Sequence, residues 1–231
     1  MGVSYNNGSP ITLNGLILLL DSANKQSYPG SGSTWYDLSG NRNHATILNS
    51  PSVMQHGIIF NGINQYAHIL NANNFNMSGK NFCIEVWISI LDSNANERPI
   101  LEYNLLQNNG SYVVTTFNNL IRFTFYDAYN NNKKIDYTHT PLTTGAWTQI
   151  ISQFSTDNNT LELFVNGTKV AQQTGVTEEI GNINDNLYIL GHGGSLNFLR
   201  ARLSGLFIYN KTLSNDEIAN NYFAFKRRFI K

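Results

Sequence analysis

The sequence has little charge, one cysteine and no long apolar run. Only 13% of its 231 residues are charged, and 15 basic residues balance 15 acidic ones. Such a chain lacks the basic surface with which proteins bind nucleic acid or anionic membranes, so no nucleic-acid partner is expected. The longest aliphatic run, Leu16 to Leu20, is far shorter than the roughly 20 residues that span a bilayer, so no membrane insertion is expected.

The single cysteine, Cys83, excludes an internal disulfide framework and a cysteine-based zinc site. It lies within an apolar run, which predicts a buried, inert thiol. The beginning of the chain has neither the basic region nor the apolar core of a secretory leader. We therefore expect the protein to be made and assembled in a cytoplasm.

The abundant polar residue is asparagine, which occurs 35 times, and aromatic residues make up 12% of the chain. An apolar fraction of 41% without net charge is typical of a folded protein, because disorder requires low hydrophobicity and high net charge. The polar surface is therefore expected to consist mainly of uncharged amides.

Alternating apolar residues predict β-strands along the whole chain. In Phe82 to Ile90, every second residue is apolar and would face a core. The same alternation occurs in Ile121 to Tyr126 and in Leu161 to Val165, and Asn166-Gly167 then predicts a hairpin turn into a strand at Thr168 to Ala171. Further strands are predicted at Gly15–Ser22, His56–Phe60, Gln65–Leu70, Ile100–Tyr103, Tyr112–Phe117, Thr148–Phe154, Leu187–Leu190 and Leu203–Tyr209.

About a dozen strands without intervening helices predict an antiparallel sandwich or barrel, and no linker divides residues 1–231, so a single domain is expected. Near the C-terminus, Ser214 to Glu217 fits a capping box and predicts a short helix. Residues 1–13 are interpreted as an N-terminal arm. Residues 226–231 are interpreted as a basic tail, either solvated or docked on another subunit or an acidic surface through Phe229 and Ile230.

A series of motifs runs through the chain in a fixed order. They are GLILLLD from Gly15, SYPG from Ser27, TWYDLSGN from Thr34, FNG from Phe60, NQY from Asn64, FCIEVW from Phe82, LFVNG from Leu163, GLFIYNKTLS from Gly205, Glu217-Ile218 and Asn221-Tyr222. Together they resemble the laminin-G-like, concanavalin A-like jelly roll of lectins, pentraxins and some glucanases. The resemblance implies an all-β fold, a two-sheet antiparallel jelly-roll sandwich with a short C-terminal helix.

The combination of SYPGSG, TWYDLSGN and NYFAFKRRF is most similar to copies of this domain in structural proteins of tailed bacteriophages. It implies a non-enzymatic protein on the virion surface, such as a head decoration, head fibre or tail-associated protein, assembled in the host cytoplasm. Its partners would be other virion proteins or host-surface glycans, and a homo-oligomer would suit a fibre tip. The alternatives are a carbohydrate-binding adhesion domain of a bacterial surface system and a polysaccharide-active enzyme.

Catalytic motifs are missing from the sequence. Retaining glucanases of this fold carry Glu-x-Asp-x-x-Glu on one strand, because their two carboxylates must lie about 5 Å apart. Here Glu85 stands alone on its strand. The five histidines show no zinc-binding spacing, and no Gly-x-Ser-x-Gly elbow is present. We expect no enzymatic activity.

Domains of the resembled family often hold one calcium ion at the edge of the sandwich. The resemblance implies Asp21, Asn61 and Asn64 as its ligands. Relatives often carry Asp at the last two positions, and asparagine there removes negative charge and should weaken the binding of a hard cation. Apart from this structural calcium, no cofactor is expected.

Glycan binding would use tyrosine rings, which stack on sugars, and asparagine amides, which both donate and accept hydrogen bonds. The candidate residues lie in two asparagine-containing loops of the chain: Tyr126, Tyr129, Asn130, His192 and Asn197. The alternative is that asparagine is abundant in every loop of this chain and therefore does not mark a binding site.

Overall fold

The regular structure consists of strands β1 to β16 and a helix, α1. The computed structural model describes residues 11–92, 96–104, 110–139, 145–191 and 197–230. Its strands are β1 (Leu16–Asp21), β2 (Thr34–Trp35), β3 (Ala45–Leu48), β4 (Ser52–Met54), β5 (Gly57–Asn61), β6 (Tyr66–Ile69), β7 (Phe82–Ile90), β8 (Arg98–Tyr103), β9 (Tyr112–Phe117), β10 (Leu120–Tyr126), β11 (Asn132–Thr138), β12 (Thr148–Ser155), β13 (Thr160–Val165), β14 (Thr168–Thr174), β15 (Leu187–Ile189) and β16 (Arg200–Tyr209). The helix α1 spans Asn215–Lys226, and a short 3-10 turn spans Asn73–Phe75.

These strands form two antiparallel sheets. The first sheet has the order β14-β13-β12-β7-β16-β5-β4, and β1 also pairs with β16. The second sheet has the order β11-β10-β9-β8-β15-β6-β3-β2. The predicted fold, an antiparallel two-sheet sandwich with a C-terminal helix, is confirmed. Within the described ranges no helix is both long enough and apolar enough to cross a membrane.

Strand β7 shows how the alternating pattern builds the core. Phe82, Ile84 and Val86 point between the sheets, where the main apolar cluster lies. Cys83 and Trp87 point to the other side of the first sheet, where a second apolar cluster lies beneath α1. All nine residues of the strand are buried, so both faces of β7 contribute to stability. Complete burial of one such side chain contributes about 1.5–3 kcal/mol.

Helix α1 begins with the predicted capping box, which is confirmed. The Ser214 hydroxyl accepts a hydrogen bond from the Glu217 amide, and the Glu217 carboxylate accepts one from the Ser214 amide. The helix lays Ile218 and Phe225 on the first sheet, and the Phe225 ring lies edge-on to Phe207 at 5.1 Å. The capped helix therefore forms a third layer over this sheet.

The segment after α1 packs against its own chain, which corrects the solvated-tail interpretation of residues 226–230. Arg228 donates to both carboxylate oxygens of the completely buried Asp21, at 2.7 and 2.6 Å. The Phe229 ring stacks on Trp147 at 4.6 Å. Phe229, one of the two residues considered for docking on another surface, therefore packs on its own chain. Residues 1–10 of the predicted arm, and Lys231, lie outside the described residues. At the end of the arm, Ile11 is buried.

The hairpin turn predicted at Asn166-Gly167 is confirmed, and Asp37 organises a second turn. Trp35 is completely buried, and the Asp37 carboxylate accepts hydrogen bonds from the Ser39 and Leu19 amides. Asn166 and Gly167, with φ of 51° and 79°, join β13 to β14 in a two-residue hairpin. Such a turn needs positive φ at both positions.

Strands β2, β3, β4 and β11 were not predicted. The first three have only two to four residues, too few to show a period. Strand β11 lies at an edge of the second sheet, and only Ile135 on it is buried. Its charged residues hide the alternation that identifies a strand.

Candidate functional site

Tyr129 is the most exposed aromatic side chain of the described residues, at 87%. It lies in the turn between β10 and β11. The Asp127 carboxylate accepts hydrogen bonds from the Tyr129 amide at 2.8 Å, the Asn131 amide at 2.9 Å and the Asn131 side chain at 3.0 Å. The side-chain bond from Asn131 is the largest of the effects that lower the pKa of Asp127. A turn organised around one carboxylate therefore holds a tyrosine ring in solvent.

The base of this turn is anchored by close backbone packing. The Tyr126 carbonyl accepts hydrogen bonds from the amides of Gly110 and Gly181, both at 3.2 Å. A Cβ atom on Gly110 would lie 2.3 Å from the Gly181 carbonyl oxygen, so a side chain there would force the segments apart. Asn130 completes the turn with φ of 65°, a conformation that asparagine tolerates well. Tyr126 thus ends β10, and Tyr129 and Asn130 lie in the turn that follows it; we call these three residues the tyrosine turn.

Asn197 does not join the tyrosine turn. It follows β15, whose first residue, Leu187, lies opposite Tyr103 near the Tyr126 end of the second sheet. The chain then continues toward the other end of the sheet, where the Leu190 amide donates a hydrogen bond to the Ile100 carbonyl. Asn197 is exposed at the opposite end of the sheet. His192 lies outside the described residues.

The outer face of the second sheet carries a row of aromatic rings that was not predicted. The His68 ring lies 5.8 Å from Tyr66 and 6.4 Å from Tyr188, and the Phe198 ring lies 5.9 Å from Tyr66. Burial lowers the pKa of His68, so its imidazole is neutral at pH 7. The signal that could have identified this row is the alternation of Tyr66 and His68 with buried residues in β6.

The residues implied for calcium binding are not gathered at one place. Asp21 lies opposite Gly205 of β16, whereas Asn61 lies opposite Arg200, five residues away, which corresponds to about 17 Å along a strand. The carboxylate of Asp21 is paired with Arg228. The Asn61 side chain instead organises its own turn: its oxygen accepts from the Ile63 amide, and its nitrogen donates to Asn64 at 2.9 Å.

Glu85, the lone acid on β7, is completely buried beneath α1. Its carboxylate accepts hydrogen bonds from Trp87 Nε1 at 3.1 Å, Gln149 Nε2 at 2.7 Å and Asn221 Nδ2 at 2.7 Å. Burial raises the pKa of Glu85, although these three bonds oppose the effect. A carboxylate enclosed in this way ties the helix to the sheet, and it has no open path to a polysaccharide.

Two further acids, Glu162 and Glu217, line a polar cleft of about 610 Å³ at the beginning of α1. Glu162 pairs with Lys169, and Glu217 pairs with Lys211 at 2.6 Å. Burial of Glu217 would raise its pKa, but the Lys211 ammonium and the Ser214 cap hold the pKa below its usual value. Glu217 is therefore ionised at neutral pH and cannot donate a proton as a glycosidase acid would.

The family model described as the concanavalin A-like lectin/glucanases superfamily matches residues 61–219. A search of curated proteins found no match.

Among solved structures, the receptor-binding domain of a botulinum neurotoxin C/D mosaic serotype superposes with a TM-score of 0.74 at 17% identity, covering 92% of this chain and 52% of that one. The binding domain of the Paraclostridial Mosquitocidal Protein 1 gives 0.69 at 17%, covering 90% and 52%. The botulinum neurotoxin serotype D ligand-binding domain, solved with N-acetylneuraminic acid, gives 0.70 at 19%, covering 91% and 51%. The chain spans about half the length of these structures, and the similarity shows a shared fold.

Proposed function

Because the chain belongs to the concanavalin A-like lectin/glucanases superfamily, we propose that it is a glycan-binding adhesion domain without catalytic activity. Two structures with the same fold support a binding role. The serotype D domain was solved with N-acetylneuraminic acid, and a related binding domain was solved in complex with rat synaptotagmin II. The proposal therefore concerns recognition of a sugar, with a protein receptor as the second candidate ligand.

The observation that carries this proposal is the tyrosine turn. Exposing a whole tyrosine ring to water forfeits the stabilisation that burial would provide. The hydrogen bonds to Asp127 fix the turn before any ligand arrives, so binding would cost little conformational entropy. The Tyr129 ring offers a flat face for the C–H side of a sugar, and the adjacent Asn130 amide offers a donor and an acceptor for its hydroxyls.

The surroundings of three acids, Glu85, Glu162 and Glu217, support the proposal that the domain has no catalytic activity. Glu85 is enclosed by protein, and Glu162 and Glu217 are each paired with a lysine. A retaining glycosidase needs one protonated and one ionised carboxyl group facing the same bond. None of these three residues meets the requirement for an accessible, protonated acid.

The test is a glycan-array assay with the wild type, the Tyr129→Ala variant and the matched control Tyr36→Ala, which removes another exposed ring. We expect saturable binding by the wild type and the control, and a loss of at least about tenfold for Tyr129→Ala, as expected for a lost stacking contact. Because Asp21 is already paired with Arg228, a calcium chelator should leave binding unchanged. Equal binding by Tyr129→Ala and the wild type would refute the assignment to this turn.

We further propose, from the sequence motifs alone, that the domain is carried on the outside of a tailed-phage particle and contacts other virion proteins. A neutral surface rich in amides suits such a protein. Mass spectrometry of purified particles should then find many copies per particle. Particles without the protein would refute this location while leaving glycan binding intact.

A further inference from the structure

A cleft of about 420 Å³ opens on the outer face of the first sheet, beside the C-terminal end of α1. It is separate from the tyrosine turn, which lies on the second sheet. Its size falls within the range of small-ligand sites, about 300–1,000 Å³. Its lining includes Trp87, Trp147, Asn166, Tyr222, Lys226 and Phe229.

Aromatic rings form the wall of this cleft. Trp87 is 1% exposed and stacks on Tyr222 at 5.7 Å, with only 11° between the ring planes. Phe229 stacks on Trp147 at 4.6 Å and contacts Trp87 at 5.4 Å. The buried Trp87 supports the wall, whereas Trp147 and Tyr222 remain partly exposed. Stacked rings of this kind are rigid and present C–H-binding surfaces without further ordering.

Two side chains of the cleft, Asn166 and Lys226, can donate hydrogen bonds, and Lys226 is charged. The Asn166 side-chain oxygen accepts a hydrogen bond from the Gln149 amide at 3.0 Å, which leaves the Asn166 amide nitrogen as the group that can donate to a ligand. The Lys226 ammonium lies 4.9 Å from the centre of the Tyr222 ring and has no ion pair among the described residues. None of the described residues that line the cleft is acidic, so the charge of Lys226 favours an anion.

We propose that this cleft binds a pyranose sugar that carries a carboxylate, such as a hexuronate residue of an acidic polysaccharide. The sugar ring packs on Trp147 and Tyr222. Its carboxylate accepts hydrogen bonds from Lys226 and Asn166, which gives the charge-assisted contact that a neutral sugar lacks. The site is a second one, independent of the tyrosine turn, and its ligand class follows from the charge of the cleft.

The tryptophans provide a local probe. Of the three tryptophans in the sequence, Trp35 and Trp87 are at most 1% exposed, and Trp147 is partly exposed. A ligand in the cleft should therefore change the fluorescence of Trp147. The experiment titrates the purified protein with sodium glucuronate, and separately with glucose, at matched low ionic strength and neutral pH.

We expect a saturable fluorescence change with glucuronate and binding of glucose that is at least about tenfold weaker, the size expected for one charge-assisted hydrogen bond. Lys226→Gln should reduce glucuronate affinity to the level of glucose, whereas the control Lys134→Gln, on the exposed edge strand β11, should not. Tyr129→Ala should leave this titration unchanged even if it abolishes glycan-array binding. Equal affinity for both sugars, no saturable change, or an unaltered Lys226→Gln variant would overturn the proposal.

Discussion

Glu85 should make the stability of the domain fall as the pH rises from 4.5 to the raised pKa of its carboxyl group. Burial raises its pKa above the ordinary value of 4.5, so the folded state retains the proton at a pH where the unfolded chain has lost it. The contribution of this group to stability is therefore greatest below pH 4.5 and decreases up to the raised pKa. The decrease can reach about 1.4 kcal/mol per pH unit, which corresponds to one proton.

The Glu85→Gln variant isolates this effect because glutamine has the same shape and no charge. The glutamine oxygen can still accept from Trp87 and Gln149, but its amide nitrogen would meet the Asn221 amide nitrogen, donor against donor. One unsatisfied buried donor costs about 1–3 kcal/mol. The variant should thus be less stable than the wild type near pH 5, and the difference should narrow as the pH rises.

The assay is urea unfolding followed by tryptophan fluorescence from pH 4.5 to 8 at constant ionic strength. Glu179→Gln makes the same change at an exposed carboxylate and serves as the control. The pKa of His68 is lowered by burial, so protonation of the unfolded chain gives a slope of opposite sign below about pH 6.5. This slope is common to all three proteins and cancels in the differences. A difference between wild type and Glu85→Gln that stays constant with pH would refute the reasoning.

Two further substitutions test the contacts that hold the C-terminal segment and the helix. Arg228→Gln leaves the buried Asp21 carboxylate without its cation and should lower the free energy of unfolding by about 3–5 kcal/mol, measured by urea unfolding at pH 7. The neighbouring Arg227→Gln, at an exposed residue, should change it by less than about 0.5 kcal/mol, and equal effects would contradict the importance of the ion pair. Ser214→Ala removes the helix cap and should cost about 1 kcal/mol, whereas Ser214→Asp, which can cap as well, should cost little. A Ser214→Ala variant as stable as the wild type would show that the cap is dispensable.

Local pattern predicted the strands whose two faces differ in chemistry. Strand β7 alternates over nine residues, and the hairpin at Asn166 carries its own turn signal, so both were visible in the sequence. Strand β11 was not, because an edge strand buries little and three of its seven residues are charged. The tail after α1 was interpreted wrongly since its buried partner, Asp21, lies 207 residues away.

The candidate sites follow the same rule: features within one loop could be predicted from the sequence, whereas contacts between distant segments could not. Tyr129 could be nominated because its loop is contiguous in sequence. The separation of Asn197 from it depends on the strand order of the second sheet, which no local pattern specifies. The aromatic cleft was missed because Trp147 meets its partners, Tyr222 and Phe229, across more than 70 residues of chain.

The position of β16 in the first sheet has a consequence for how the chain folds. This strand, near the end of the sequence, pairs with β1, β5 and β7, which are synthesised long before it. Until residue 209 has left the ribosome, the apolar strand β7 has a free edge on that side, and β1 has no partner. Closing loops of more than 100 residues is entropically costly and slows folding. The first sheet therefore cannot be completed before β16 has been synthesised, and until then the nascent chain is exposed to aggregation and to chaperones.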